Sequence, residues 1–267
     1  MEVVDLGELH GDVWLFGGVY SNFSALEAFL NAATDVPTSN LLCSGDVVAY
    51  CARGEACVQK LRDRGGPVLA GNCEVQIAAQ ADDCGCGYSE GSTCSILSRG
   101  WYAHALKTIS PASRDWMAGL PERIIFTHAG QRWVLVHGAA SEIARFVWPV
   151  TSDGEISAEI ALLRNQVGLF DGVIAGHTGL QMDRTVDGVR WVNPGALGMP
   201  ANNGRAKTGY AVLTEQGLRM EQLAYDPAEE IKAMKAAGLT QGYHETLKSG
   251  WWPSEDTLPP EMRRNLR

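Results

Sequence analysis

Apolar positions along the chain alternate between short runs and helical stripes. Residues 13–16 (Val-Trp-Leu-Phe) form a compact run, and Ser24-Ala-Leu-Glu-Ala-Phe-Leu has helical spacing behind a capping residue, Asn22 or Ser24. A strand over 41–44, a helix over 55–64 and a strand over 67–70 continue the alternation, the signature of βαβ units and a parallel sheet. Helices are predicted over 92–106 and 112–118, with Pro111 near the first position of the second. From residue 123 the pattern becomes strand-rich. Residues 123–128 and 131–137 read as a strand pair around Ala129-Gly130, and a helix follows over about 156–167. Further strands are predicted near Val173 and over 182–186, 189–192, 210–213 and 219–223, with Asp187-Gly188 as a hairpin turn. A helix runs from after Asp226 to about Ala237, and a tail over 250–267 is expected to wrap the surface. Two mixed β-sheets packed as a sandwich, with helices on the outer faces, absorb this count in four layers. One α/β domain spanning 1–267 is the expectation.

Composition narrows the function classes. Hydrophobic residues make up 45% and charged residues 20%, which is globular. The net charge is −9 and no Lys/Arg cluster breaks it, so binding to nucleic acid is not expected. No apolar stretch approaches the ~20 residues of a membrane span. The start, MEVVDLGELHGD, has neither a basic region nor an apolar core of a signal peptide, so the expected location is cytoplasmic. Seven cysteines, an odd count, point to reduced thiols rather than a disulfide framework. Cys43 and Cys57 fit apolar patterns. Cys84, Cys86 and Cys94 lie in the Gly-rich stretch DDCGCGYSEGSTC, a loop. With Cys73 they are candidates for a second, Cys-bound metal, for a disulfide between neighbours, or for free thiols; C-x-C lies at the short edge of zinc spacing.

Candidate chemistry sits in four turns: Gly45-Asp46, Gly71-Asn72-Cys73-Glu74, Val136-His137-Gly138 and Gly176-His177-Thr178-Gly179. Each follows an apolar run. Asp, Asn, His and His at the ends of successive strands form an oxygen–oxygen–nitrogen–nitrogen set that suits a divalent transition metal, Mn, Fe or Zn. The order and the flanking residues, with Asn193-Pro194-Gly195 after them, resemble the calcineurin-like metallophosphoesterases. That resemblance covers nearly the whole chain and implies two ions sharing a bridging carboxylate. Carried over residue by residue, Asp46 matches the bridge, and Asn72, His137 and His177 match the other ligands of the second ion. The first ion loses its ligands: Gly18 stands where the family has Asp, Tyr20 where it has His, and Gly179 where it has the final His. Cys73 replaces the histidine placed on the leaving-group side. His10-Gly11-Asp12 has the wrong order and precedes the strand, so both side chains are expected in a surface turn.

Two functions follow from the resemblance. The first is a metal-dependent hydrolase of phosphate mono- or diesters, weak or narrow, working with one ion per chain on a small phosphorylated substrate. The second is a non-catalytic binding or sensor protein that retains the fold. Arg145 and Arg205 are candidates for phosphate contact, since a guanidinium suits bidentate anion binding.

Overall fold

The computed structural model describes residues 2–264. Among them a six-stranded and a four-stranded sheet carry the architecture. The smaller sheet contains β2 (Val13–Phe16), β3 (Leu41–Cys43), β9 (Thr208–Thr214) and β10 (Gly217–Leu223), in the order β10-β9-β2-β3. The larger contains β1 (Val3–Leu9), β4 (Arg123–His128), β5 (Gln131–Val136), β6 (Gly172–Ala175), β7 (Met182–Val186) and β8 (Val189–Asn193), in the order β1-β4-β5-β6-β8-β7. Both are mixed. β2 runs parallel to β3 and antiparallel to β9, while β5, β6 and β8 run parallel with β4 and β7 reversed at their flanks.

The two-residue period of the strands divides their side chains between layers. Val13 and Leu15 of β2 and Trp133 and Leu135 of β5 meet between the sheets, with Leu42, Phe126, Ile174 and Leu213. Phe16 of β2 instead packs outward against α1 (Phe23–Ala32) and α2 (Gly54–Arg64), through Leu26, Phe29, Val58 and Leu61. Val134 and Val136 of β5 pack outward against Ile156, Ile160 and Leu163 of α6 (Asp153–Val167). Helices α4 (Thr93–Thr108) and α5 (Pro111–Ala118) cover the α2 side, followed late in the chain by α7 (Ala228–Ala236) and α8 (Tyr243–Ser249). Asn22 caps α1, its side-chain oxygen accepting from the Ala25 N–H. None of the helices among the described residues is long and apolar enough to cross a membrane.

Three elements depart from the sequence expectation. β1 pairs in parallel with β4 at the sheet edge, although Asp5, Gly7 and Glu8 interrupt its apolar alternation; its other edge faces solvent, so polar residues are tolerated. Residues 67–70 form a single bridge, Cys43 to Val68, rather than a strand. Helix α3 (Asn72–Ala79) begins at Asn72 itself, where only a turn was expected. The tail does more than wrap. Trp252 is tied down by hydrogen bonds to the Pro200 carbonyl (2.7 Å) and the Asn202 side chain (2.8 Å), and the Asp256 carboxylate accepts from the Thr93 N–H at the start of α4. Trp252, Ser254 and Thr257 thereby form one wall of a pocket. Residues 265–267 of the expected tail lie outside the described residues.

Candidate metal centre

Parallel neighbours end together, and that places the chemistry. β5 and β6 are paired through Val136 and Ala175, so His137 and His177 emerge side by side from the larger sheet. β3 of the smaller sheet delivers Asp46, and α3 presents Asn72 from its first turn. His137 Nε2 lies 3.0 Å from Asn72 Oδ1, 3.2 Å from His177 Nδ1 and 3.4 Å from Asp46 Oδ1. The ligand atoms of Asp46, His137 and His177 all fall within 4.8 Å of one another. The loops bearing Asp46 and Asn72 touch: a Cβ on Gly45, whose φ is +93°, would lie 2.6 Å from Gly71 N and 2.9 Å from His137 Nδ1. Only glycine permits that approach.

The electrostatics fit a cation. His137 Nδ1 donates to the Ser44 carbonyl oxygen at 2.7 Å, which fixes the ring and turns Nε2 into the cluster. Burial pushes the Asp46 carboxyl up, but His137, His177 and the Cys73 thiol together hold it below the usual carboxylate range. Asp46 is therefore an anion. Burial depresses His137, and Asp46 more than restores it, so the two form an ion pair whose Nε2 proton is the one a metal would replace. Burial and the neighbouring His137 hold His177 down to about 3, leaving it a neutral donor. Asp46 Oδ1 is buried, and apart from the 3.4 Å approach of His137 Nε2 it has no hydrogen-bond partner among the described residues. Asp46, His137 and His177 could hold a metal ion, and an oxygen and two imidazole nitrogens suit a divalent transition metal.

Glu74 belongs to the site, although the sequence reading assigned it no role. It is fully buried, and its carboxylate accepts from the N–H groups of Asp46 (2.7 Å), Gly71 (2.9 Å) and Val48 (3.1 Å). Burial, then the Asp46 charge, pushes its carboxyl up to about 7. The available signal was its spacing: a Glu three residues after a helix N-cap reaches back to the cap N–H. Cys73 is buried beside Asn72, with the Asn72 amide 3.5 Å from its sulfur. Burial, then Asp46 and Glu74, push its thiol up, so it stays protonated and hydrogen-bonds the Asp46 carboxylate.

The three altered positions adjoin one another. A Cβ on Gly18 would lie 2.8 Å from Tyr20 Cζ, and one on Gly179 would lie 3.2 Å from Tyr20 Oη. The Tyr20 ring occupies the space between them. Tyr20, Asp46, His177 and Gly179 line an open pocket of about 640 Å³, mouth included, walled by Tyr50, Tyr88, Phe146, Trp148, Tyr243 and Trp252. Phe146 bridges the pocket wall to the cluster of Asp46, His137 and His177, 4.3 Å from the His177 ring and stacked at 5.0 Å on Trp148.

Other candidates lie elsewhere. Arg145 is turned away, its Nε 2.9 Å from the Glu159 carboxylate, and neither it nor Arg205 lines the pocket. Glu155 and Glu159 pair the Arg145 charge, which the sequence distance from His137 did not reveal. His10 and Asp12 are exposed. Cys84 and Cys86 are joined as a disulfide, one of the alternatives for this loop, and Cys94 is a buried free thiol; Asp46, His137 and His177 are the one cluster of metal-type ligands among the described residues. The loop nonetheless touches the site. The Cys84 carbonyl accepts from the Asn72 amide at 2.9 Å, turning Asn72 Oδ1 toward His137.

Comparison with known proteins agrees with this geometry. The family model of the calcineurin-like phosphoesterase superfamily domain matches residues 1–217. An uncharacterised protein of Methanocaldococcus jannaschii is 23% identical over 250 residues, which cover 87% of this chain and 95% of the relative. Among solved structures, a metallophosphoesterase from Sphaerobacter thermophilus superposes with a TM-score of 0.70 at 19% identity, covering 91% of this chain and 100% of its own. A hypothetical protein from Pyrococcus horikoshii gives 0.71 at 15% identity, covering 90% and 98%. With its two mixed sheets, its strand-end histidines and a family model spanning most of its length, the chain belongs to the calcineurin-like phosphoesterase superfamily.

Proposed function

We propose that the chain is a metal-dependent phosphoesterase that works with one divalent transition metal, Mn, Fe or Zn, held by Asp46, Asn72, His137 and His177. The observation that carries this reading is the convergence of Asp46 Oδ1, Asn72 Oδ1 and His177 Nδ1 within 3.4 Å of one histidine nitrogen, with the Asp46 oxygen otherwise unpartnered. Bound there, the ion supplies Lewis acidity toward a phosphoryl oxygen and lowers the pKa of a water. The protein's own contribution is orientation. Ser44 fixes the His137 ring, the Cys84 carbonyl fixes the Asn72 amide, and Glu74 fixes the turn that carries Asp46. The aromatic walls and the Trp252 tail limit water around a small phosphate mono- or diester. With one ion, no second cation clamps the opposite side of the phosphoryl group, so turnover is slow.

The second reading is a binding or sensor protein that keeps the fold without the reaction; the filled first-ion space around Tyr20 favours it. Hydrolysis of p-nitrophenyl phosphate and bis(p-nitrophenyl) phosphate, measured with Mn²⁺, separates the two. The hydrolase reading expects turnover that chelation and His177→Ala both abolish. Undiminished turnover after exhaustive chelation would sink the metal assignment, and stoichiometric Mn²⁺ uptake without turnover selects the binding protein.

A further inference from the structure

We propose that the Tyr20 hydroxyl is a phosphate-binding group, donating a hydrogen bond to a phosphoryl oxygen from the place where the family's first ion sits. One ion and one phenol would then hold the oxyanion between them. This rests on the one-ion reading above and goes beyond it.

Three observations carry the assignment. The first is space. The distal end of the Tyr20 ring lies between positions 18 and 179, the two that supply first-ion ligands in the resembling pattern. A Cβ on Gly18 would also meet the Ala196 methyl at 2.8 Å, and one on Gly179 would meet it at 3.4 Å. Gly18, Gly179 and Ala196 thus form a cradle fitted to a ring; a side chain at 18 would collide with the ring, and one at 179 would press on its hydroxyl end.

The second is the hydroxyl itself. Tyr20 is only 5% exposed and lines the pocket with Asp46 and His177, yet its oxygen has no hydrogen bond to any described residue. That oxygen is not among the buried unpartnered atoms; it opens onto the pocket. In the same pocket Tyr50 and Tyr88 satisfy each other, oxygen to oxygen, at 2.7 Å. The Tyr20 hydroxyl has no protein partner among the described residues, so it is free to donate to an acceptor that enters the pocket. No lysine or arginine lines the pocket, so phosphoryl oxygens have no cationic side chain to turn to, and a hydrogen bond to an anionic oxygen is of the stronger, charge-assisted kind.

The third is the backbone. Tyr20 and Ser21 have φ of 53° and 59°, a region that side chains other than glycine rarely adopt. They are held there by the Tyr20 N–H on the Asp46 carbonyl at 3.0 Å and the Ser21 N–H on the Val47 carbonyl at 2.8 Å. The same contacts register the tyrosine to the metal-binding turn, so the donor is positioned before any ligand arrives.

Calorimetric titration of inorganic phosphate into Mn²⁺-loaded protein, wild type against Tyr20→Phe, tests the proposal. Phe keeps the ring and removes only the oxygen. Both proteins should hold one Mn²⁺, and the variant should bind phosphate about tenfold more weakly, equivalent to ~1.4 kcal/mol. Phosphate should also perturb the tyrosine near-UV spectrum of the wild type and leave that of Tyr20→Phe unchanged. As a second arm, Gly18→Asp with Gly179→His should stay at one ion while Tyr20 remains, and should gain a second when Tyr20→His is added. Phosphate affinity within twofold of wild type in Tyr20→Phe overturns this inference alone, whereas uptake of two ions by the wild type overturns it together with the one-ion reading. Uptake of no ion by the wild type overturns it together with the hydrolase reading.

Discussion

At the Asp46 turn one buried carboxylate, Glu74, holds three backbone N–H groups that would otherwise stand unpaired. Asp46 has φ of +56°, so its turn does not rest where an aspartate would on its own. The Glu74 bonds compensate for that strain and aim the Asp46 side chain at His137. Glu74→Gln keeps the shape but offers one acceptor oxygen for three donors and turns an amide N–H₂ toward at least one of them. Leaving buried N–H donors without an acceptor costs about 1–3 kcal/mol. We expect Glu74→Gln to lose stability of this order in urea denaturation and to bind Mn²⁺ more weakly, although Glu74 is not itself a ligand. Wild-type stability together with wild-type ion affinity in that variant would contradict the positioning role.

Between elements, Glu55 in the first turn of α2 accepts from the Ser110 N–H (2.9 Å), the Ser110 hydroxyl (2.8 Å) and the Ser113 hydroxyl (3.0 Å) at the start of α5. One carboxylate thus fastens two helices that cover the smaller sheet. Burial pushes its carboxyl up, but the hydrogen bonds from Ser110, Ser113 and Gln59 outweigh burial and hold it below the ordinary range. A carboxyl depressed in the folded state adds stability above its unfolded value near 4.3, and that share is lost as pH falls through the folded value. Glu55→Gln should therefore destabilise the protein by about 1 kcal/mol at pH 7, solvent screening at this partly exposed joint included. The gap from wild type should narrow as denaturation is repeated down to pH 3. An equal gap at both pH values would mean that the charge of Glu55 is not what fastens the helices.

Over the whole molecule, the candidate ligands come from both sheets: Asp46 follows β3 of the smaller, His137 and His177 follow β5 and β6 of the larger, and Asn72 opens α3. An ion at that point would tie the two layers across their open edge and would bind only the folded state. At a free concentration of 100 times its dissociation constant, such an ion adds ~2.7 kcal/mol. For a chain of this size that raises Tm by roughly 5–10 °C. Scanning calorimetry with Mn²⁺ against chelated protein should show this rise in the wild type and little of it in His177→Ala. The same rise in both proteins would place the ion elsewhere.

Much of this was legible along the chain because it depends on near neighbours. The two-residue alternation that sorts Trp133 and Leu135 from Val134 and Val136, the capping of α1 by Asn22, the Asp187-Gly188 turn and the apolar runs ending at Asp46, His137 and His177 are set by residues a few positions apart. By itself the sequence determined the two-sheet fold, the order of the candidate ligands and the loss of ligand types at 18, 20 and 179. What it left open depends on groups distant in sequence. β1 is a strand because β4 pairs with it from more than a hundred residues away, and its own polar pattern carries no sign of that partner. Arg145 turns from the pocket because Glu159 lies one helix later, and the C-terminal tail joins the pocket because Pro200 and Asn202 hold Trp252. Only the tertiary structure put the Tyr20 ring into the space that Gly18 and Gly179 leave. Which side chain fills a gap is decided by packing in three dimensions, and a missing ligand and a filled site look the same in one.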